Sequence, residues 1–100
     1  MSITMNTAGG DVLILFNTVI NAEDAGRTRL YLQIDGVTKA TTQTKQDNCG
    51  QSYDRDSAGI HWLEKDLTAG THIFKMRWSG SNGQMNPGGE SSRVLTVMEI

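Results

Sequence analysis

The fold is decided by residues 27–37, RTRLYLQIDGV. Apolar and polar residues alternate through this stretch, and a period of two predicts a strand with one buried and one exposed face. The apolar set is Leu30, Leu32 and Ile34, and the polar set is Arg29, Tyr31 and Gln33. Asp35-Gly36 follows at once, the strongest two-residue hairpin signal in the chain. The return strand, 37–44, is rich in Thr and carries Lys39, as expected of an edge strand.

Further strands are predicted outward from this hairpin. Apolar or alternating segments occupy 12–16, 59–67, 71–78 and 93–100, while 45–57 and 79–92 are polar or glycine-rich and are predicted as long loops. Residues 1–10 are predicted as an N-terminal leader or arm, and 11–100 as the folded part. Several short strands joined by turns predict an all-β protein, a single-domain antiparallel β-sandwich that is jelly-roll-like.

Composition supports one small β domain and excludes several functions. The chain has 100 residues, of which 23 are Thr, Ile or Val, with 11 Gly and one Pro. A net charge of −2 gives no electrostatic reason to bind nucleic acid or an anionic membrane. No apolar run is long enough for a membrane helix and no secretory signal is visible, which predicts synthesis in the cytoplasm. The single cysteine, Cys49, excludes an internal disulfide.

The first and last strands are apolar on both faces. A strand of a two-layer sandwich normally alternates, because only one face of each sheet meets the core. If these two strands pair, one sheet presents an apolar outer face, which in a symmetric oligomer is the subunit interface. The predicted interface residues are Leu13, Leu15, Leu95 and Val97. The alternative is that loops cover this face within one chain.

Two segments carry a family resemblance. Residues 67–78, LTAGTHIFKMRW, and the terminal 93–100, RVLTVMEI, resemble small β-sandwich domains of bacteriophage tail, fibre and capsid-decoration proteins. They are also distantly similar to the jelly-roll trimers of the tumour-necrosis-factor and complement type. The chain starts at Met1 without a shaft or stalk, which favours a capsid-decoration or other small virion component. The resemblance implies a homotrimer that contacts itself and other virion proteins, with the virion as its final location.

Motifs for metal binding and catalysis are weak. Asp54 and Asp56, with Gly59, match the start of a calcium loop, but Lys65 stands where the bidentate Glu is required. His61 and His72 have no further ligands at metal-binding spacing, and His72 is expected to be a hydrogen-bonded core or interface histidine. No nucleophile elbow or phosphate-binding loop is present. The sequence therefore predicts no cofactor and no enzymatic activity.

Aromatic residues provide the remaining functional signal. Tyr31, Tyr53, Trp62 and Trp78 are candidates for a surface on which a sugar stacks, although both tryptophans fall on apolar strand faces that predict core packing. Tyr53 lies in a polar segment, and a ligand or partner loop is predicted there at Asn48, Gln51, Tyr53 and Asp54. The main hypothesis is a self-assembling virion protein. The alternative is a carbohydrate- or receptor-binding β-sandwich module.

Overall fold

Eight strands make up the chain in a computed structural model that describes residues 1–22, 26–46, 54–80, 83–85 and 93–100. The strands are β1 (Ser2–Thr7), β2 (Gly10–Ala22), β3 (Gly26–Ile34), β4 (Val37–Gln46), β5 (Asp54–Leu67), β6 (Gly70–Gly80), β7 (Gly83–Met85) and β8 (Val94–Glu99). Within these residues no helix has the length and hydropathy to cross a membrane.

The strands form two antiparallel sheets. The first sheet has the order β1-β6-β3-β4. In the second, β2 pairs with β5 along one edge and with β8 and then β7 along the other. The chain crosses between sheets from β1 to β2, β2 to β3, β4 to β5, β5 to β6 and β6 to β7. The predicted all-β antiparallel sandwich is confirmed.

The core lies between the two sheets and is filled by alternate residues of five strands. β3 contributes every second residue from Leu30 to Ile34, and β2 every second residue from Val12 to Phe16. Among the residues that the structure describes, the buried apolar side chains are Val12, Ile14, Phe16, Leu30, Leu32, Ile34, Ile60, Phe74, Met76 and Leu95. Trp62 and Trp78 pack against this core, which confirms the apolar role predicted for both.

The hairpin predicted at Asp35-Gly36 is confirmed. Ile34 pairs with Val37, and both turn residues have positive φ, 51° at Asp35 and 84° at Gly36. These values belong to the tight turn whose twist matches that of the flanking strands, and Asp-Gly tolerates it well. β4 lies at the edge of the first sheet, as its Lys and Thr content predicts.

Two boundary predictions are wrong. The predicted leader contains β1, which pairs with β6 from Ser2 to Thr7 and packs Ile3 and Met5 against the core. The predicted loop at 45–57 begins and ends in strand, because β4 continues to Gln46 and β5 begins at Asp54, while residues 47–53 lie outside the described part of the chain. Asp54 and Asp56 therefore lie on paired, extended backbone.

The pairing of the first and last long strands is confirmed, but its predicted face is wrong in part. β2 pairs with β8 so that Ile14 stands beside Val97 and Phe16 beside Leu95. Leu95 is only 8% exposed, and Val97 packs against the core. The outward side chains of β8 are those of the alternate positions, including Met98, because neighbours in register share a face. Because β8 is apolar on both sides, its sequence does not alternate between apolar and polar residues and cannot predict which face is buried.

A hydrogen-bonded cluster around His72 holds one end of the sandwich. The His72 ring donates from Nδ1 to Asp35 Oδ2 at 2.6 Å and from Nε2 to the Thr68 carbonyl at 2.7 Å. Asp35 Oδ1 also accepts the Ile73 amide at 2.9 Å, and the Thr7 hydroxyl donates to the same Thr68 carbonyl at 3.1 Å. The cluster therefore ties the β3–β4 turn, the β5–β6 turn and the end of β1 together. The expectation of a hydrogen-bonded core histidine is confirmed, since His72 is 7% exposed.

The Asp35 carboxylate and the Thr68 carbonyl both favour the protonated, imidazolium form of His72. A carbonyl and an ionised carboxylate only accept hydrogen bonds, so both ring nitrogens carry protons. The Asp35 carboxylate, followed by the Thr68 carbonyl, raises the pKa of His72 above its ordinary 6.5. The His72 hydrogen bond, followed by the Ile73 amide, lowers the pKa of Asp35 below its ordinary 3.8. The His72–Asp35 pair therefore stabilises the folded protein fully between pH 3.8 and pH 6.5, the two ordinary pKa values.

Stability should fall as pH rises past neutrality. The contribution of His72 is present below its unfolded pKa of 6.5 and is lost as pH rises through its higher folded value. Thermal unfolding followed by circular dichroism from about pH 5 to about pH 9 should show a decreasing Tm for the natural sequence. His72→Gln should lower Tm at the acidic end and flatten the profile. His61→Gln, at an exposed position, should keep the natural slope; an unchanged slope in His72→Gln would contradict this role for the cluster.

Candidate functional site

The outer surface of the first sheet carries a group of polar side chains around one aromatic ring. Because Leu30, Leu32 and Ile34 face the core, the alternate residues of β3 face solvent, and the same holds for β6 around Phe74 and Met76. We call this surface the Tyr31 face. It consists of Arg29, Tyr31, Gln33, Thr38, Thr41, Gln43, Lys75, Arg77 and Ser79.

Strand register arranges the Tyr31 face in three rows across β4, β3 and β6. Tyr31 occupies the middle of the central row, between Thr41 and Arg77. The row on one side is Gln43, Arg29 and Ser79, and the row on the other is Thr38, Gln33 and Lys75. Cross-strand neighbours within a row lie about 5 Å apart and successive rows about 7 Å apart, so a ligand of several sugar rings centred on Tyr31 would reach all three rows.

Two shallow grooves meet at Tyr31. One, of about 340 Å³, is lined by Tyr31, Gln33, Thr38, Arg77, Trp78 and Ser79. The other, of about 370 Å³, is lined by Arg29, Tyr31, Thr41, Thr42 and Gln43. Tyr31 thus lines both grooves, and its side chain is half-buried. An extended ligand that crosses the ring would occupy both grooves at once.

Hydrogen bonds hold the polar groups of the Tyr31 face in position. Arg29 Nε donates to Gln43 Oε1 at 2.9 Å, and Gln33 Nε2 donates to the Thr38 hydroxyl at 3.2 Å. The Tyr31 hydroxyl lies 3.4 Å from Ser79 Oγ. This contact, together with Arg29, lowers the pKa of the Tyr31 phenol below its ordinary 10.0. Side chains held this way lose less conformational entropy when a ligand binds.

The chemistry of the Tyr31 face suits recognition by stacking and hydrogen bonding. An aromatic ring offers an apolar surface with a polar edge, and the surrounding amides, hydroxyls and guanidinium groups supply donors and acceptors. None of the four strands of this sheet, within their described bounds, contains an Asp or Glu. The pair of carboxylates that glycoside hydrolysis commonly uses is therefore missing from this surface.

A second surface lies on the outside of the second sheet and is apolar. Leu13 stands between Leu63 of β5 and Met98 of β8, and Leu15 lies next along the same face of β2. We call this surface the Leu13 face. Leu63 and Met98 are 43% and 45% exposed, so the apolar outer face predicted from the sequence exists. Of its predicted residues it contains Leu13 and Leu15, whereas Leu95 and Val97 belong to the interior.

The other predicted sites are placed apart from these surfaces or outside the described residues. Asn48, Gln51 and Tyr53 lie outside the part of the chain that the structure describes, and so do the side chains of Asp54 and Asp56. The ligand loop and the calcium site stay predictions. Among the described residues no three His, Cys, Asp or Glu side chains are grouped as metal ligands.

The sequence predicts Tyr31 as an aromatic candidate with Arg29 and Gln33 on the same strand face, whereas the residues beside it on β4 and β6 were not predicted as part of a site. The hairpin alone places Thr41 beside Tyr31 and Gln43 beside Arg29, so the two thirds of the Tyr31 face that lie on β3 and β4 were accessible from the Asp35-Gly36 signal. Arg77 and Ser79 come from β6, which is distant in sequence, and no local pattern shows that β6 pairs with β3.

Comparisons with known proteins show the fold. No protein-family model matches the sequence, and no curated protein is significantly similar to it. Dimeric latent PorU from Porphyromonas gingivalis is similar with a TM-score of 0.58 at 9% sequence identity, and the match covers 97% of this chain and 9% of PorU. The C-terminal domain of EclA, a sugar-binding protein, has a TM-score of 0.57 at 18% identity, covering 98% of this chain and 65% of that one. The CBM36-1 domain of a multidomain xylanase from the hindgut metagenome of Trinervitermes trinervoides has a TM-score of 0.53 at 14% identity, covering 99% and 69%.

These similarities establish the fold class of the chain and do not establish its family or function. Each covers nearly all of this chain at low identity, so the shared feature is the β-sandwich. The chain spans about a tenth of PorU and about two thirds of the other two proteins. None of the three is a phage virion protein, and the phage origin and the trimer suggested by the family resemblance stay predictions.

Proposed function

We propose that this chain is a carbohydrate-binding β-sandwich module that binds a glycan across the Tyr31 face. The observation that carries the proposal is the position of the Tyr31 ring, which is shared by two grooves and surrounded by fixed amide, hydroxyl and guanidinium groups. Sugar rings present apolar C–H faces and rims of hydroxyls, and this surface complements both features.

The fold comparisons agree with this function. Two of the three similar structures are named for sugar binding or belong to a polysaccharide-degrading enzyme. A shared fold does not define the function, so the weight of the proposal rests on the Tyr31 face. Binding without catalysis is part of the proposal, since the strands that carry this face hold no carboxylate within their described bounds.

Substitution of Tyr31 tests the proposal directly. Binding to soluble polysaccharides is measured by affinity gel electrophoresis over a panel that includes xylan, pectin and alginate. Tyr31→Ala should weaken binding by about tenfold, because an aromatic contact contributes about 0.5–1.5 kcal/mol beyond its buried area. Tyr31→Phe keeps the ring and should retain most of the affinity.

The controls separate binding from folding. Tyr31 faces solvent, so both variants should melt within a few degrees of the natural protein. Leu63→Ala, on the outside of the other sheet, should leave binding unchanged. Full binding by a folded Tyr31→Ala protein, or no binding of the natural chain to any glycan of the panel, would contradict the proposed function.

A second candidate function is self-assembly, and the Leu13 face favours it. Four large apolar side chains, Leu13, Leu15, Leu63 and Met98, form a continuous patch there. An exposed apolar patch of this kind is typical of an interface, and a symmetric oligomer would bury it. This is the assembly role that the sequence predicts, with the interface residues corrected.

Light scattering on two matched variants tests self-assembly. Leu63→Lys places a charge on the Leu13 face, and Ile73→Lys does the same on the outside of the first sheet, where Ile73 is equally exposed at 44%. If the Leu13 face is an interface, Leu63→Lys should have the monomer mass and Ile73→Lys the oligomer mass. A monomeric natural protein, or an undiminished mass in Leu63→Lys, would refute the assembly role.

A further inference from the structure

Charge is divided unequally between the two sheets. The four strands of the first sheet contain six Lys or Arg and no acidic residue. The strands of the second sheet contain six Asp or Glu and two Lys or Arg. A net charge of −2 for the whole chain therefore conceals one basic sheet and one acidic sheet.

Three of these cations surround Tyr31. Arg77 is its neighbour on β6, Arg29 is two residues before it on β3, and Lys75 lies on the diagonal. Diagonal neighbours in a sheet lie about 7–8 Å apart, so the Arg77 position is close to those of both Arg29 and Lys75, which are themselves about 14 Å apart on either side of the Tyr31 row. Within the described part of the chain, Lys75 and Arg77 have no ion pair with a carboxylate, and Arg29 is bound to the neutral amide of Gln43.

Protection of a sheet edge does not account for these cations. Lysine often guards an edge strand against further pairing, and Lys39 on β4 fits that role. Arg29 lies on β3 and the other two on β6, and both strands are interior to the sheet. Neighbouring like charges on one surface repel each other and destabilise the free protein. An anionic ligand would reduce this electrostatic repulsion.

We propose that the glycan bound on the Tyr31 face is acidic, carrying carboxylates that pair with Arg29, Lys75 and Arg77. The inference rests on the proposed function and adds the ligand class to it. Guanidinium groups bind carboxylates through paired, charge-assisted hydrogen bonds, while Tyr31 stacks on the sugar ring. A single ring among amides and hydroxyls favours a glycan over a single-stranded nucleic acid, which stacks successive bases on several rings.

The test compares each polysaccharide with its own uncharged form. Polygalacturonate, alginate and hyaluronan are each titrated into the protein beside their carboxyl-reduced counterparts, by calorimetry at about 0.15 M salt. At least one acidic polymer should bind about tenfold more tightly than its reduced form. Arg77→Gln should weaken that binding about fivefold and weaken the binding of the reduced form clearly less, because only the charged polymer loses an ion pair. Lys65→Gln removes the same charge from the second sheet and should have no effect.

The outcomes distinguish the proposal of an acidic ligand from the proposed carbohydrate-binding function. Equal binding of charged and reduced polymers, lost in Tyr31→Ala, would overturn the acidic ligand and leave a carbohydrate-binding module. No binding to any polymer would overturn both. An equal loss in Lys65→Gln and Arg77→Gln, or tighter binding of oligothymidylate than of any acidic glycan, would also overturn the acidic ligand.

Discussion

The constraint on which this structure depends is burial of every second residue of β3 and β6 against β2. Leu32 and Phe74 are fully buried against the inner face of β2, where Ile14 is equally inaccessible. Side chains alternate along a strand, so a register shift of one residue would bring charged groups into the core and apolar groups to the surface. The same burial that stabilises the fold therefore determines which residues lie on the Tyr31 face.

The same burial places the side chains of the Tyr31 face without any special backbone geometry. The outward residues of β3 and β6 are held in rows by strand register, and hydrogen bonds such as that from Arg29 to Gln43 fix their side chains. The His72 cluster adds to this order at the turn end of the same sheet, where it fixes the β3–β4 turn against β6. A rigid sheet of this kind presents its binding groups before the ligand arrives.

The sequence was sufficient wherever a local pattern carried the information. Alternation and Asp35-Gly36 correctly predict β3, the hairpin and the edge position of β4. They fail where pattern is missing: Leu95 and Val97 belong to a strand that is apolar on both sides, and Asp54 lies in a strand polar enough to resemble a loop. The Tyr31 face needed the pairing of β3 with β6, a contact between distant segments that no local pattern specifies. Ile3 and Met5 alternate in β1, so that strand was open to prediction.

The most direct measurement of the central claim is a map of the surface that the glycan touches. Amide chemical shifts of the labelled protein are followed by nuclear magnetic resonance during titration with an oligosaccharide drawn from the polymer that binds best. If the glycan binds on the Tyr31 face, the largest changes should fall on residues 29–33 of β3 and 75–79 of β6, with β2 and β8 unaffected. Changes confined to β5, β2 and β8, or to residues 47–53, would contradict it.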